Sequence, residues 1–128
     1  MKVCIAVLCI GDEYLKMYND KFRRIQEFYA TKHGYDFRVL TDFLDKKYNH
    51  KTTCSMHTLL ICDQDWARDY DYIICIDGDI IINKNAPPIH EAYDFGDKIG
   101  LINQSQPTLE ARHKVQRYKG FEVTARLL

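Results

Sequence analysis

The chain has 128 residues, of which 46% are hydrophobic and 28% are charged, and its 18 basic and 18 acidic side chains give a formal net charge of zero. This composition is typical of a globular domain with its own core, and we expect a single domain over residues 1–128. The charge balance argues against nucleic acid as a partner, because domains that bind nucleic acid normally carry a basic excess.

The first segment of the chain predicts a buried strand. Residues 2–10 are apolar almost throughout, as in a strand covered on both faces, and Gly11 ends the run. The run is too short for a transmembrane helix, and no signal-peptide cleavage site follows it. We therefore expect a cytoplasmic protein without a transmembrane segment.

The five cysteines predict neither a disulfide framework nor a zinc site. Their number is odd, and no two of them form a Cys-x-x-Cys pair. Cys4 and Cys75 lie within apolar runs, so we expect both to be small core residues.

Helical periodicity appears twice along the chain. Residues 13–33 carry apolar side chains at spacings of three and four, with Gly34 as a stop signal, and this stripe is formed by Tyr14, Tyr18, Phe22, Ile25 and Tyr29. Residues 53–70 carry a second stripe, formed by Met56, Leu59, Leu60, Trp66 and Tyr70. Both segments are predicted to be helices.

Further strands are predicted at 36–40 and 72–76, and a fourth at 98–102. The alternation of strands and helices predicts an α/β fold with a Rossmann-like, mostly parallel sheet flanked by helices. In such sheets, ligands bind outside the carboxyl ends of the strands. Three predicted strands end in polar or glycine-containing segments, namely Gly11-Asp12, Thr41-Asp42 and Asp77-Gly78-Asp79.

The Asp77-Gly78-Asp79 triplet is the candidate metal site. Two carboxylates flank a glycine directly behind five apolar residues, and neighbouring carboxylates repel unless a cation or a proton lies between them. Mg²⁺ and Mn²⁺ suit such oxygen ligands and leave positions open for substrate phosphates. A solvated Asp-Gly-Asp turn is the simpler alternative, but the apolar residues on both sides of the triplet argue against it.

Residues 57–88 resemble the central segment of GT-A glycosyltransferases, within the nucleotide-diphospho-sugar transferase superfamily. In that family a Tyr-Asp-x-hydrophobic run leads to an Asp-x-Asp motif that closes a strand, and residues 69–83 here read DYDYIICIDGDIIIN. The opening strand, the first helix and residues 37–42 also look like the start of that family. The similarity extends over roughly the first 100 residues and includes the glycosyltransferases of large DNA viruses.

The resemblance implies a glycosyltransferase that uses a UDP- or GDP-linked sugar, a glycan or other hydroxyl acceptor, and Mn²⁺ or Mg²⁺. Asp79 would bind the metal directly, while Asp77 would contact the metal, the ribose or the sugar, with Gly78 between them. Asp42 would contact the base or the ribose.

The same resemblance places Cys9, Ile10 and Gly11 near the nucleoside. Members of the family are usually considerably longer, and their second half binds the acceptor, so we expect this chain to correspond to the donor-binding part. The residues give no catalytic base.

Three other interpretations stay open on the sequence. The first is a nucleotide-sugar-binding module that is catalytically incomplete. The second is a phosphatase of the haloacid dehalogenase type, with Asp77 as the nucleophile. The third is an interaction domain without catalysis. His90 and His113 are candidates for a third metal ligand, on residue type alone. His57 is better explained as a structural residue than as a phosphate ligand.

Overall fold

A computed structural model of the chain describes residues 1–92 and 94–100. The chain divides into two compact units, Met1–Ala92 and Tyr93–Leu128. All helices and strands of the described residues belong to the first unit, and in the second the backbone N–H of Lys98 closes a turn on the carbonyl of Phe95. The prediction of a single domain stays a prediction, since most of the second unit lies outside the described residues.

Three parallel strands form the sheet. They are β1 (Val3–Leu8), β2 (Asp36–Leu40) and β3 (Tyr72–Ile76), in the order β2-β1-β3. Both neighbours pair with β1 in parallel, which confirms the predicted α/β class with a parallel sheet flanked by helices. Residues 98–100 are not a strand, and the other two residues of the predicted fourth strand lie outside the described part.

The core of the first unit is built around the central strand, β1. Alternate residues of β1 pack against the helices, and its other face is covered by residues 51–69. Cys4 is fully buried there, as expected. Cys75 is exposed, so that prediction was wrong: β3 is an edge strand, and Ile74 and Ile76 take its core-facing positions.

The first predicted helix is two helices, α1 (Asp12–Lys21) and α2 (Arg23–Lys32). The chain turns out of helical geometry at Phe22, which has φ −117° and ψ −37°. This break shifts the phase of the second helix, so that Gln26 is buried and Ile25 is 36% exposed. The apolar stripe predicted for residues 13–33 was therefore wrong at Ile25, whereas Tyr29 is buried in the core.

The second predicted helix is a 3₁₀ structure in two pieces, Lys51–Asp63 and Asp65–Asp69, here called the 3₁₀ layer. A 3₁₀ helix has three residues per turn, so its inner face repeats every third residue. Most of the buried and half-buried residues follow that period in two overlapping runs, and Thr53 and Trp66 are half-buried outside both. The first run is Cys54, His57 and Leu60, and the second is Thr58, Ile61, Gln64 and Ala67. Met56 and Leu59, predicted to face inward, are 57% and 74% exposed.

Two short 3₁₀ turns complete the elements within residues 1–92. Lys46–Tyr48 follows β2, and Ile89–Glu91 follows the loop after β3. No helix within residues 1–92 and 94–100 is long and apolar enough to cross a membrane.

Candidate functional site

The carboxyl ends of the three strands meet at one edge of the sheet, because all three run in parallel. The backbone N–H of Cys9 donates to the carbonyl of Leu40 at 2.8 Å, which continues the pairing of β1 and β2 to this edge. The segments containing Gly11, Asp42 and Asp77 therefore lie along the same edge. The sequence predicted this arrangement on the condition that the sheet was parallel.

A cleft of about 270 Å³ opens at this edge, between the ends of β1 and β3 and the 3₁₀ layer. Its walls are mostly apolar, with two hydroxyl side chains, a thiol, a phenol and one carboxylate among them. The lining residues are Leu8, Ile10, Tyr14, Cys54, Ser55, Thr58, Ile61, Ile76 and Asp77. Such a mixture of apolar walls and a few polar groups is typical of small-molecule sites.

Asp77 and Asp79 are both exposed at the end of β3. Asp77 lines the cleft, and both carboxylates lie close enough to Tyr14 to act on its hydroxyl. Burial raises the pKa of Tyr14, and the charges of Asp79 and Asp77 raise it further, whereas a hydrogen bond from the backbone of Gly78 lowers it. Tyr14 therefore lies near both acidic residues, at the wall of the cleft.

The chain contains two more Asp-x-Asp triplets, at residues 63–65 and 69–71. None of their aspartates lines the cleft, and both triplets belong to the exposed side of the 3₁₀ layer or its end. The triplet at 77–79 thus differs from them in its position at the cleft and in the glycine between its two aspartates.

Gly78 is buried beneath Tyr14 and Cys9. A Cβ atom at this position would lie 2.9 Å from the Tyr14 hydroxyl and 3.3 Å from the Cys9 Sγ. A side chain here would therefore force Tyr14 or the turn to shift, which favours glycine. Its role is to let the turn pack closely on α1.

Gln26 of α2 contacts the same turn, and no pattern in the sequence indicates this role. Its side chain is fully buried, and its Nε2 lies 3.2 Å from the carbonyl oxygen of Asp77, 3.5 Å from that of Gly78 and 2.9 Å from that of Ile80. The hydroxyl of Tyr18 donates to Gln26 Oε1 at 3.1 Å. An isolated glutamine in an amphipathic helix normally indicates an exposed position, and the break at Phe22 reverses that expectation.

The other predicted site residues occupy different surroundings. Ile10 lines the cleft, but Cys9 is fully buried in the core cluster, with a pKa raised to about 11 by burial. Gly11 precedes α1 with φ 102° and is exposed. Asp42 is exposed, and its carboxylate accepts the backbone N–H of Phe43 at 2.8 Å. Of these four, Ile10 is the one that lines the cleft.

The charges around the cleft favour a cation. Among the described residues that line the cleft, Asp77 is the one with a charged side chain. The first turn of α1, which begins beside the cleft after Ile10, carries Asp12 and Glu13, so the positive end of that helix is already matched by acidic side chains. An anionic ligand would therefore meet negative charge here unless a cation accompanied it.

The two carboxylates do not form a complete metal cage. Among residues 1–92 and 94–100, no group of three or more His, Cys, Asp or Glu side chains is arranged to hold a metal ion. Mg²⁺ is commonly bound by one or two carboxylates together with substrate phosphates and water. Two exposed aspartates beside a cleft fit that mode of binding, and do not fit a structural metal site.

The histidines have structural partners. His57 is buried, and its Nδ1 accepts the backbone N–H of Leu44 while its Nε2 donates to the carbonyl of Tyr48, both at 3.0 Å. His90 Nδ1 is hydrogen-bonded to the hydroxyl of Tyr35. His113 lies outside the described residues.

Comparison of the chain with protein-family models, with curated proteins and with solved structures gives no significant match.

Proposed function

We propose that this chain carries the donor-binding site of a metal-dependent glycosyltransferase of the GT-A type. The observation that supports the proposal most is the position of Asp77. It follows the last residue of a parallel strand and forms part of the wall of an apolar cleft, with a second carboxylate two residues away. In α/β sheets this is where phosphorylated ligands bind.

The size and lining of the cleft suit a nucleoside better than a whole nucleotide-sugar. A volume of about 270 Å³ is at the lower end of the roughly 300–1,000 Å³ typical of ligand pockets. The base and ribose would pack against Ile10, Ile61 and Tyr14, with the hydroxyls of Ser55 and Thr58 available for hydrogen bonds. The diphosphate would then lie toward the Asp77–Asp79 turn at the mouth.

Asp77 and Asp79 would hold a divalent cation together with the diphosphate of the donor. When bound, such a cation neutralises the charge that develops on the leaving nucleoside diphosphate. The contribution of the chain itself is to orient the donor. The strands fix the turn, and the 3₁₀ layer covers the nucleoside.

The phosphatase alternative is less well supported by the fold. In the haloacid dehalogenase type, the nucleophilic aspartate usually follows the first strand. Asp77 follows β3, the third strand in sequence and an edge of the described sheet. The alternative of a module that binds the nucleotide without transferring sugar would use the same site. An activity measurement separates this alternative from the enzyme.

A thermal-shift panel tests the proposal. UDP, GDP, CMP and the corresponding nucleotide-sugars are added with and without Mn²⁺, because a ligand that binds the folded state raises the melting temperature. We expect a shift with UDP or GDP that needs Mn²⁺. A donor-hydrolysis assay on the same samples then separates an enzyme from a binding module, and no shift with any nucleotide would contradict the proposal.

A further inference from the structure

We propose that Gln26 is a positioning residue for the Asp77–Asp79 pair: its buried amide fixes the turn that presents both carboxylates at the mouth of the cleft. This inference rests on the proposed function for what the carboxylates bind. The turn itself is a property of the free chain, so the inference can be tested without ligand.

Three backbone carbonyls of the turn lie around one side-chain donor, the amide nitrogen of Gln26. The carbonyl oxygens of Asp77, Gly78 and Ile80 all lie within 3.5 Å of Gln26 Nε2. The backbone N–H of Ile80 also donates to the carbonyl of Asp77 at 3.2 Å, which closes the turn. With its carbonyls directed inward onto the amide, the turn has its two aspartate side chains on the solvent side, where both are exposed.

The amide is itself held in place. Its oxygen accepts the hydroxyl of Tyr18, a residue that is fully buried on α1. The three carbonyls can only accept hydrogen bonds, so Nε2 and not Oε1 faces the turn, and Oε1 is left to accept the Tyr18 hydroxyl. The helices α1 and α2 therefore set the conformation of a turn that is more than 50 residues away in sequence.

Burial makes the contact specific. In water, a glutamine amide exchanges partners freely, but a fully buried amide keeps the partners that the fold provides. The Tyr14 side chain fills the space next to Gly78. The turn is thus contacted by both a hydrogen-bond donor and a packed ring, and residues that orient metal ligands in this way commonly contribute to metal affinity.

The test compares Gln26→Leu and Gln26→Glu with the unchanged chain. Leucine removes the donor, while glutamate keeps the size of the side chain but places an acceptor against three carbonyls. Val3→Ala is the control, since Val3 is buried at the amino end of β1, away from the cleft. Its stability loss shows what ordinary core damage does to the site.

The first readout needs no ligand. Amide hydrogen exchange is measured at Gly78, Asp79 and Ile80, relative to the amides of β1, at a temperature where each variant is folded. We expect the turn to exchange faster than β1 in both Gln26 variants, and to keep its ratio to β1 in Val3→Ala. An unchanged ratio in the Gln26 variants would overturn the proposal.

The second readout is the affinity for UDP or GDP in the presence of Mn²⁺. We expect it to fall by about 10–100-fold in the Gln26 variants and to stay unchanged in Val3→Ala. Equal affinities for folded Gln26→Leu and the unchanged chain would reduce Gln26 to a structural role and contradict the proposal. If the unchanged chain binds neither nucleotide, the proposed function fails, whatever the exchange measurement shows for the turn.

Discussion

At the scale of single residues, the contact between Gly78 and Tyr14 explains why the middle position of the triplet is glycine. The space above Gly78 is filled by the Tyr14 hydroxyl and the Cys9 thiol, and its φ is not positive. The requirement is therefore steric. A side chain at this position has to displace the ring or move the turn.

We expect Gly78→Ala to destabilise the fold by about 1–3 kcal/mol, the usual cost of overpacking a filled site. Removing the phenol oxygen in Tyr14→Phe opens the nearest contact, so the double variant should recover part of that loss. Urea denaturation of the two single variants and the double variant gives the coupling energy. Additive losses, with no recovery, would contradict the steric explanation.

At the scale of elements, α2 holds the loop that follows the site. The hydroxyl of Tyr29 donates to the carbonyl of Pro87 at 2.8 Å and accepts the backbone N–H of Ile89 at 3.0 Å. His33 Nε2 lies 3.0 Å from the carbonyl oxygen of Ala86. One helix therefore fixes both the turn at residues 77–80, through Gln26, and the chain leading away from it.

We expect Tyr29→Phe to lower the free energy of unfolding by about 1–3 kcal/mol, because it removes two hydrogen bonds at about 0.5–1.5 kcal/mol each. Tyr48→Phe is the matched control, since it removes the same atom from a side chain that is 51% exposed. Chemical denaturation measures both. Equal effects of the two substitutions would show that the Tyr29 hydroxyl does not hold the loop.

The sequence predicted the strands better than the helices, for a physical reason. Three strands were predicted within one or two residues, because runs such as residues 72–76 are apolar throughout and bounded by polar groups. The second helix was predicted with the wrong period. Its residues allow a repeat of either 3.6 or 3.0, and packing against β1 and β3 selects the second.

The site was predicted in part. The rule that ligands bind at the carboxyl ends of parallel strands pointed to Asp77, and the family resemblance pointed to Ile10; both residues line the cleft. Gln26 and Tyr14 were missed as site residues, since their roles depend on contacts made across 50 or more residues. The break at Phe22, which turns Gln26 inward, has neither proline nor glycine to mark it.

At the scale of the whole molecule, buried phenols and thiols make the free energy of unfolding depend on pH in the alkaline range. Burial raises the pKa of Tyr35 to about 12 and that of Tyr18 well above its usual value, and it raises the pKa of Cys4 and Cys9 in the same direction. These groups keep their protons in the folded chain at a pH where the unfolded chain loses them. Their stabilisation is therefore complete below the unfolded pKa and is lost above it.

We expect the free energy of unfolding to fall as the pH rises from 9 to 11, with a contribution from Tyr35 on the order of 1–3 kcal/mol. Urea denaturation across this range measures the slope, and Tyr35→Phe should reduce it near pH 10–11. A slope that Tyr35→Phe leaves unchanged would contradict the assignment to that phenol. Tyr48→Phe, at an exposed tyrosine, serves again as the control.

The charge distribution is a second property of the whole molecule, and it affects nucleotide binding. The net charge is zero, and the lining of the cleft contributes one negative charge, from Asp77. A diphosphate is repelled by that charge, by Asp79 and by the acidic first turn of α1. Nucleotide binding should therefore depend strictly on a divalent cation.

Isothermal titration calorimetry of UDP and GDP, with Mn²⁺ or with a chelator, tests this claim most directly. The matched variants are Asp77→Asn plus Asp79→Asn and Asp63→Asn plus Asp65→Asn, which remove the same charge at the same spacing. Both pairs are exposed, so stability should change by less than about 0.5 kcal/mol per substitution. We predict binding that requires Mn²⁺, is lost in the first double variant and is kept in the second. Affinity that survives the chelator, or the loss of Asp77 and Asp79, would contradict the account.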